Sequence, residues 1–534
     1  MKRLLFEAHR WGGIALALFM TLWFFSGLVI IYAEPTAPGR AGQLAHAEAL
    51  QPKPTWLSAG EAWQRSAEQR RELASHTAIK PVAKKPDAEN GKIVEARLLM
   101  QADEPVWLIE DARAQHFALS AIDGKLHETS VQQALRIAAN WINKDDADPA
   151  VNIDYVETIE KPAILRNREA LRPFHRIAVE DGNGTELLIS ARTGEVADAS
   201  TRFERGLYWA GNWLHLFRPL ELTRFAGSRV DVLTWTAFAA VAVLITGLIV
   251  GWLRWRPGFN GRKTYSEGRT HPYRDFYSRW HFRAGLIGGV LALTWGLSGF
   301  LNNNPWKLFS PANPAKEELA RYVGGANPDL AKSWQPAPLH NNAAVVELVW
   351  RRLGDESVRL AYARDGKLSE TDSTHGFSQD TLRDAVQRMA GDIPIAKLTL
   401  LQEYDSYYYL RHHRDVAERP LPVLRVELAD AAGTHLYIDP QDGRLLIKQD
   451  KSRRIFRWLY SALHHWDIGF LYQHPLWDAW MLSWVLFGLV LSTTSVVLGY
   501  KRLKSTFRPK KRAARTKLIQ PVESPGLTTE NQAG

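Results

Sequence analysis

Cysteine is absent from all 534 residues. Without a thiol the chain makes no disulfide, carries no Cys-ligated iron–sulfur cluster, runs no thiolate catalysis and attaches no c-type haem covalently. The sequence also has no G-x-G-x-x-G, P-loop, H-E-x-x-H or nucleophile elbow, so no nicotinamide, nucleotide or hydrolytic site is signalled. Long apolar runs are few: hydrophobic residues make up 46% and the mean hydropathy is −0.26. Most of the chain is therefore not a membrane bundle, and its length divides it into several domains. Tryptophan is plentiful, with 21 residues, and the net charge is +10.

The chain repeats itself. Lys451–Asp467, KSRRIFRWLYSALHHWD, returns at an offset of 249 as RFERGLYWAGNWLHLFR at Arg202–Arg218. Trp458 falls on Trp209, Leu463 on Leu214 and His464 on His215, and the register runs upstream through Pro422/Pro173, Gly433/Gly184, Leu436/Leu187 and Gly443/Gly194. At an offset of 272, His9 meets His281, Trp23 meets Trp295, and Ser26-Gly27 meets Ser298-Gly299. At 248, Thr246 and Gly251 meet Thr494 and Gly499. Identities at nearly constant spacing indicate an internal duplication.

Four apolar runs are long enough to cross a bilayer, at about 20 residues each: Ile14–Tyr32, Val232–Trp252, Ala284–Leu301 and Ala479–Leu498. Lys2, Arg3 and the first run also resemble a secretory signal, but the run is long and recurs later, which marks a retained span. Between spans lie polar segments with alternating runs such as VWLIED, a helix-like VQQALRIAANW, and hairpins in HRIAVEDGNGTELLISARTGEV and its counterpart Leu424–Leu446. DGKLHETS at Asp123–Ser130 returns as DGKLSETD at Asp365–Asp372, so each half is expected to carry one small α+β domain. The resulting division is 1–33 (first span), 34–201 (domain), 202–256 (His-bearing interfacial helix and second span), 257–279 (loop), 280–302 (third span), 303–451 (domain), 452–503 (His-bearing helix and fourth span) and 504–534 (tail). The fold class is a membrane protein: a four-helix transmembrane bundle with two α+β domains. Lys2, Arg3 and Arg10, the run of arginines from Arg254 to Arg279, and Lys501–Arg512 all fall on one side of the bilayer. The positive-inside rule puts that side and both termini in the cytoplasm and the two domains outside. The basic excess then needs no nucleic acid as partner.

Four of seventeen histidines sit at repeated positions flanking spans: His9 and His281 at the cytoplasmic ends, His215 and His464 at the outer ends. Ionisable groups near a membrane core are functional candidates, and neutral imidazole is the axial ligand of b-type haem, which needs no cysteine. A pseudo-two-fold axis along the membrane normal would set His9 opposite His281 and His215 opposite His464. The reading is two bis-histidine haems b per chain, in opposite leaflets, ligated through these four residues. The alternative is interfacial histidines among headgroups. His465 and His474 rival His464, and His271 rivals His281, but none of the three has a repeat partner.

HRWGGIALALFMTLWFFSGL, GTHLYIDPQDGRL and RWLYSALHHWDIGFLYQHPLWD followed by a span resemble the PepSY-associated transmembrane helix proteins of the bacterial inner membrane, which include haem-bearing ferric-siderophore reductases. The resemblance runs from about Arg3 to Leu503. It implies periplasmic PepSY-like domains and a transmembrane oxidoreductase that passes electrons to a ferric siderophore or other external oxidant. The electron donor, a quinol or a cytoplasmic reductase, stays open. The alternative is a non-catalytic membrane protein whose PepSY-like domains bind peptides or modulate a protease. In QEYDSYYYLRHH (Gln402–His413), Tyr407, Tyr409, Arg411, His412 and His413 are candidates for contacting an anionic ferric chelate through stacking and charge. The competing reading is a strand whose alternate tyrosines pack. The first half has ETIEKPAIL there, without the aromatic and basic residues.

Overall fold

The computed structural model describes residues 2–33, 35–77, 93–111, 115–142, 151–162, 164–165, 168–259, 261–324, 329–340, 344–410 and 418–507. Each apolar run lies inside a long helix: Lys2–Tyr32, Arg229–Arg254, Phe276–Asn302 and Leu476–Phe507. All four are long and apolar enough to span a membrane. The helices outrun the apolar stretches because Lys, Arg and Leu at their ends are strong helix formers. Asp275 starts the third span by accepting a hydrogen bond from the Ser278 N–H at 3.0 Å, which satisfies one of the orphan donors of that first turn. Large apolar side chains such as Leu18, Phe25, Phe238, Ile287 and Leu486 point outward and stay exposed, as lipid-facing residues do. The first span packs chiefly on the second and fourth, and the third on the same two. The first and third spans therefore lie diagonally across the bundle.

Outside the bundle, thirteen strands among the described residues form three antiparallel sheets. They are β1 (Ile93–Gln101), β2 (Glu104–Asp111), β3 (His116–Ser120), β4 (Ile153–Ile159), β5 (Phe174–Val179), β6 (Glu186–Ser190), β7 (Val196–Ser200), β8 (Val345–Leu353), β9 (Glu356–Ala363), β10 (Ile395–Leu401), β11 (Val423–Leu428), β12 (His435–Ile438) and β13 (Leu445–Gln449). Strands β4–β7 carry the helix Val131–Ile142, whose Ala134 and Ala138 pack on Ile177, Leu187 and Ile189. Strands β10–β13 carry the helix Gln379–Ala390 in the same way, through Leu382, Ala385 and Val386 against Leu424, Val426 and Leu436. Burying each such leucine or valine stabilises the fold by about 1.5–3 kcal/mol.

The third sheet departs from one self-contained domain per half. Its order is β3-β2-β1-β8-β9, and β1 of the first half pairs with β8 of the second, Glu95 opposite Arg351 and Leu98 opposite Leu348. Two edges that would otherwise expose unpaired backbone close on each other. Leu98, Trp107, Trp334, Leu348 and Trp350 form the shared core beneath. Arg97 on β1 meets Glu195 at 2.6 Å and Glu347 at 3.3 Å, and Arg351 pairs with Glu95. Burial pulls the Arg97 guanidinium down, but Glu195, Glu347 and Glu95 together hold it above its ordinary value.

Candidate functional site

The four repeated histidines come together in two pairs. At the end of the bundle away from the sheets, the rings of His9 and His281 face each other across the diagonal with centroids 6.3 Å apart. His9 Nδ1 lies 3.2 Å from the Val243 carbonyl on the second span, and His281 Nδ1 lies 3.4 Å from the Leu491 carbonyl on the fourth. Val243 and Leu491 are themselves 248 apart, so the two imidazoles dock alike. A cavity of about 400 Å³ opens here, within the range of small-molecule sites. Glycines floor it. A Cβ on Gly247 would come within 2.6 Å of His9 Cε1, and one on Gly289 within 2.8 Å of Leu248.

At the sheet-facing end, His215 and His464 have ring centroids 6.4 Å apart. Each follows a π-helical turn, Trp209–Trp213 and Arg457–Ala462, a feature that recurs at functional sites. Each is followed two residues on by a bulky residue in the left-handed region, Phe217 at φ 52 and Trp466 at φ 53, a strained conformation that must be held by its surroundings. The hold is visible: Trp23 Nε1 donates to the His215 carbonyl and Trp295 Nε1 to the His464 carbonyl, both at 3.0 Å. Ser26 Oγ sits 3.0 Å from His215 Nδ1, and Ser298 Oγ 2.9 Å from His464 Nδ1.

A carbonyl only accepts, so the contacts of His9 and His281 call for a proton on Nδ1. Ser26 Oγ also lies 2.6 Å from the Leu22 carbonyl and Ser298 Oγ 3.1 Å from the Trp295 carbonyl, so each serine is able to accept from an Nδ1–H. All four histidines are thus anchored through Nδ1, as metal-binding histidines require. Two metal–imidazole bonds of about 2.0 Å, with each ring centroid about 1.1 Å behind its nitrogen, would put two rings on one metal about 6.2 Å apart. Among the described residues no cluster of three or more His, Asp and Glu could hold a bare ion. Two imidazoles at each pair are a donor set that a haem would take. The residue spacing from His9 to Ser26 separates the pairs by roughly 25 Å along the first span. Met20, Phe24, Leu244, Ala292, Leu293 and Trp295 fill the space between.

The rival histidines have other surroundings. His271 packs on Phe282, His474 Nδ1 meets Asp478 at 2.6 Å, and His465 is in ring contact with Tyr460 and His464. In the candidate substrate segment, Arg411, His412 and His413 lie outside the described residues. Gln402–Leu410 is a bent loop rather than a strand. Its tyrosines anchor it: Tyr408 stacks on Tyr437 with centroids 5.3 Å apart, Tyr409 Oη donates to Asp467 at 2.5 Å, and Tyr407 Oη accepts from Trp458 Nε1 at 3.4 Å. Asp467 in turn pairs with buried Arg457 at 2.9 Å. The sequence offers two signals for the groups that hold the imidazoles: the repeated Ser26-Gly27/Ser298-Gly299, and the repeated Trp23/Trp295.

No curated protein matches the chain. A family model described as PepSY-associated TM region matches residues 6–391, which takes in His9, His215 and His281. That match covers more than half of a chain with four membrane-spanning helices, and the protein is a multi-pass membrane protein that belongs to the PepSY-associated TM region family.

Proposed function

We propose that the protein is a transmembrane haem b oxidoreductase of the bacterial inner membrane that moves electrons outward to a ferric siderophore. The observation that carries this is the pair of facing imidazole couples, at 6.3 and 6.4 Å, every ring anchored through Nδ1. Haem b, when bound, supplies one-electron iron chemistry. The chain's residues do the rest. His9 with His281, and His215 with His464, would hold the two haems, while Val243, Leu491, Ser26 and Ser298 anchor each ring through Nδ1. The apolar packing between the pairs excludes water from the path. An internal duplication is supported by the matching docking contacts at offsets of 272, 249 and 248. The basic loop Arg254–Arg279 supports a cytoplasmic inner end and periplasmic sheets. A quinol or a cytoplasmic reductase would deliver electrons at the His9 end.

Purified protein should show a Soret band and bis-histidine α/β bands with two haems per chain. Reduced anaerobically and mixed with a ferric siderophore, it should return to its oxidised spectrum while Fe(II) appears in a ferrozine trap. A protein without a Soret band would instead favour a non-catalytic PepSY protein that binds peptides or modulates a protease. A reduced spectrum that persists with every ferric chelate would rule out the reductase.

A further inference from the structure

The two outer histidines are matched in their anchors but not in what covers them. From His464 a row of aromatic rings climbs the same helix face at steps of four residues, toward the sheets. Tyr460 stacks on His464 with centroids 5.3 Å apart, Phe456 lies 5.2 Å from Tyr460, and the Arg453 guanidinium sits 4.1 Å over Phe456. The two steps carry the row up to about 10 Å from the imidazole. In the first half the same positions are His215, Gly211, Leu207 and Glu204. A side chain at Gly211 would crowd the first span, because a Cβ there would meet Ile30 Cγ1 at 3.0 Å and Val29 Cγ1 at 3.3 Å. The first span presses directly on that turn.

Charge divides the two sides in the same sense. Lys451–Arg457 carries Lys451, Arg453, Arg454 and Arg457 with no acid, whereas Arg202–Tyr208 carries Arg202 and Arg205 with Glu204. The second-half helix is also the one that holds the loop Gln402–Leu410, through Arg457, Asp467 and Tyr409. The first half has Tyr208 and Arg218 in place of Arg457 and Asp467, a pair that cannot form that salt bridge.

We infer that electrons leave on the second-half side only, from the His464 face through the Tyr460 ring to an anionic ferric chelate docked by Lys451, Arg453 and Arg454. This rests on the di-haem reading above. In the step the iron held at His215 and His464 goes from Fe(II) to Fe(III), and the chelated iron goes from Fe(III) to Fe(II). One electron moves, with no proton or bond exchanged, and Tyr460 serves as a path rather than a reactant.

The test uses reduced holoprotein and ferric citrate in an anaerobic stopped-flow, following the Soret band. Tyr460→Leu should slow reoxidation about fivefold or more, and Tyr460→Phe, which keeps the ring, should match the wild type. Phe456→Leu, which installs the first-half residue, should slow it as well and serves if Tyr460→Leu does not fold. Phe203→Leu, on the exposed first-half helix, should leave the rate unchanged. Midpoint potentials should be the same in all. Wild-type rates in both Tyr460→Leu and Phe456→Leu, equal slowing in Phe203→Leu, or slowing fully matched by a change in midpoint potential would each overturn the inference. A wild-type protein that is not reoxidised at all would instead overturn the reductase reading itself.

Discussion

A histidine becomes a dependable axial ligand only when its other nitrogen is tied down, because an imidazole free to turn presents either nitrogen or neither. His9, His215, His281 and His464 are each tied by a different element from the one they sit on. Loss of one ring should therefore act on a pair and not on a residue. In the proposed reading His9→Ala and His281→Ala each remove the same haem, and the double variant loses no more than either single, as measured by pyridine haemochrome content per chain. His215→Ala and His464→Ala should behave likewise for the other haem. Non-additivity between His9 and His215 would mean the pairing is wrong. The four histidines are legible in the sequence because they recur. Their serine partners are harder to read, because a serine in an apolar run is common and its role depends on a residue 189 or 166 positions away.

At the scale of elements, close approach is what makes the inner site. The second span can lie against the His9 ring only because position 247 has no side chain. Gly247→Val would drive its side chain into that ring and displace it. The expected result is half the haem content with the outer haem spectrum intact, and full haem content in Gly247→Val would show that the inner pair does not hold the cofactor. Outside the membrane, the turn between β12 and β13 stores a different cost. Burial, and then the charge of Asp442, push the Asp439 carboxyl up to about 6. Arg444 at 3.6 Å and the Gln441 N–H at 2.9 Å offset only part of this. Because its folded pKa is raised, this group binds more protons folded than unfolded between about pH 4 and 6, so its contribution falls as pH rises through that window. Asp439→Asn should therefore stabilise the protein at pH 7.5 by on the order of 1–3 kcal/mol and by much less at pH 5. Thermal melting in detergent at the two pH values would show it; an equal effect at both would exclude the carboxyl as the cause. The spans, the hairpins and the helix Val131–Ile142 are legible from periodicity. The π-helical turns before His215 and His464 are not, since one extra residue in a helical turn hardly alters an apolar pattern.

At the scale of the molecule, two halves related in sequence could sit side by side loosely, and the imidazoles would then drift out of register. The pairing of β1 with β8 and the Arg97 cluster with Glu195 and Glu347 fasten the halves above the bundle. No local pattern announces that pairing, because it joins strands about 250 residues apart and either could as well end its own sheet. The same architecture fixes the sense of the whole. With both sheet-bearing regions leaving the bundle at the His215–His464 end, one topology measurement orients every site at once. In the proposed orientation the Arg254–Arg279 loop is cytoplasmic, so alkaline phosphatase fused after Gly124 or Gly366 should be active, and fused after Gly261 inactive. Activity at Gly261 with silence at Gly124 would invert the protein. The His9–His281 pair would then face outward, the sheets and the Tyr460 row would lie in the cytoplasm, and an outward electron path would have to end at the cavity floored by Gly247 and Gly289.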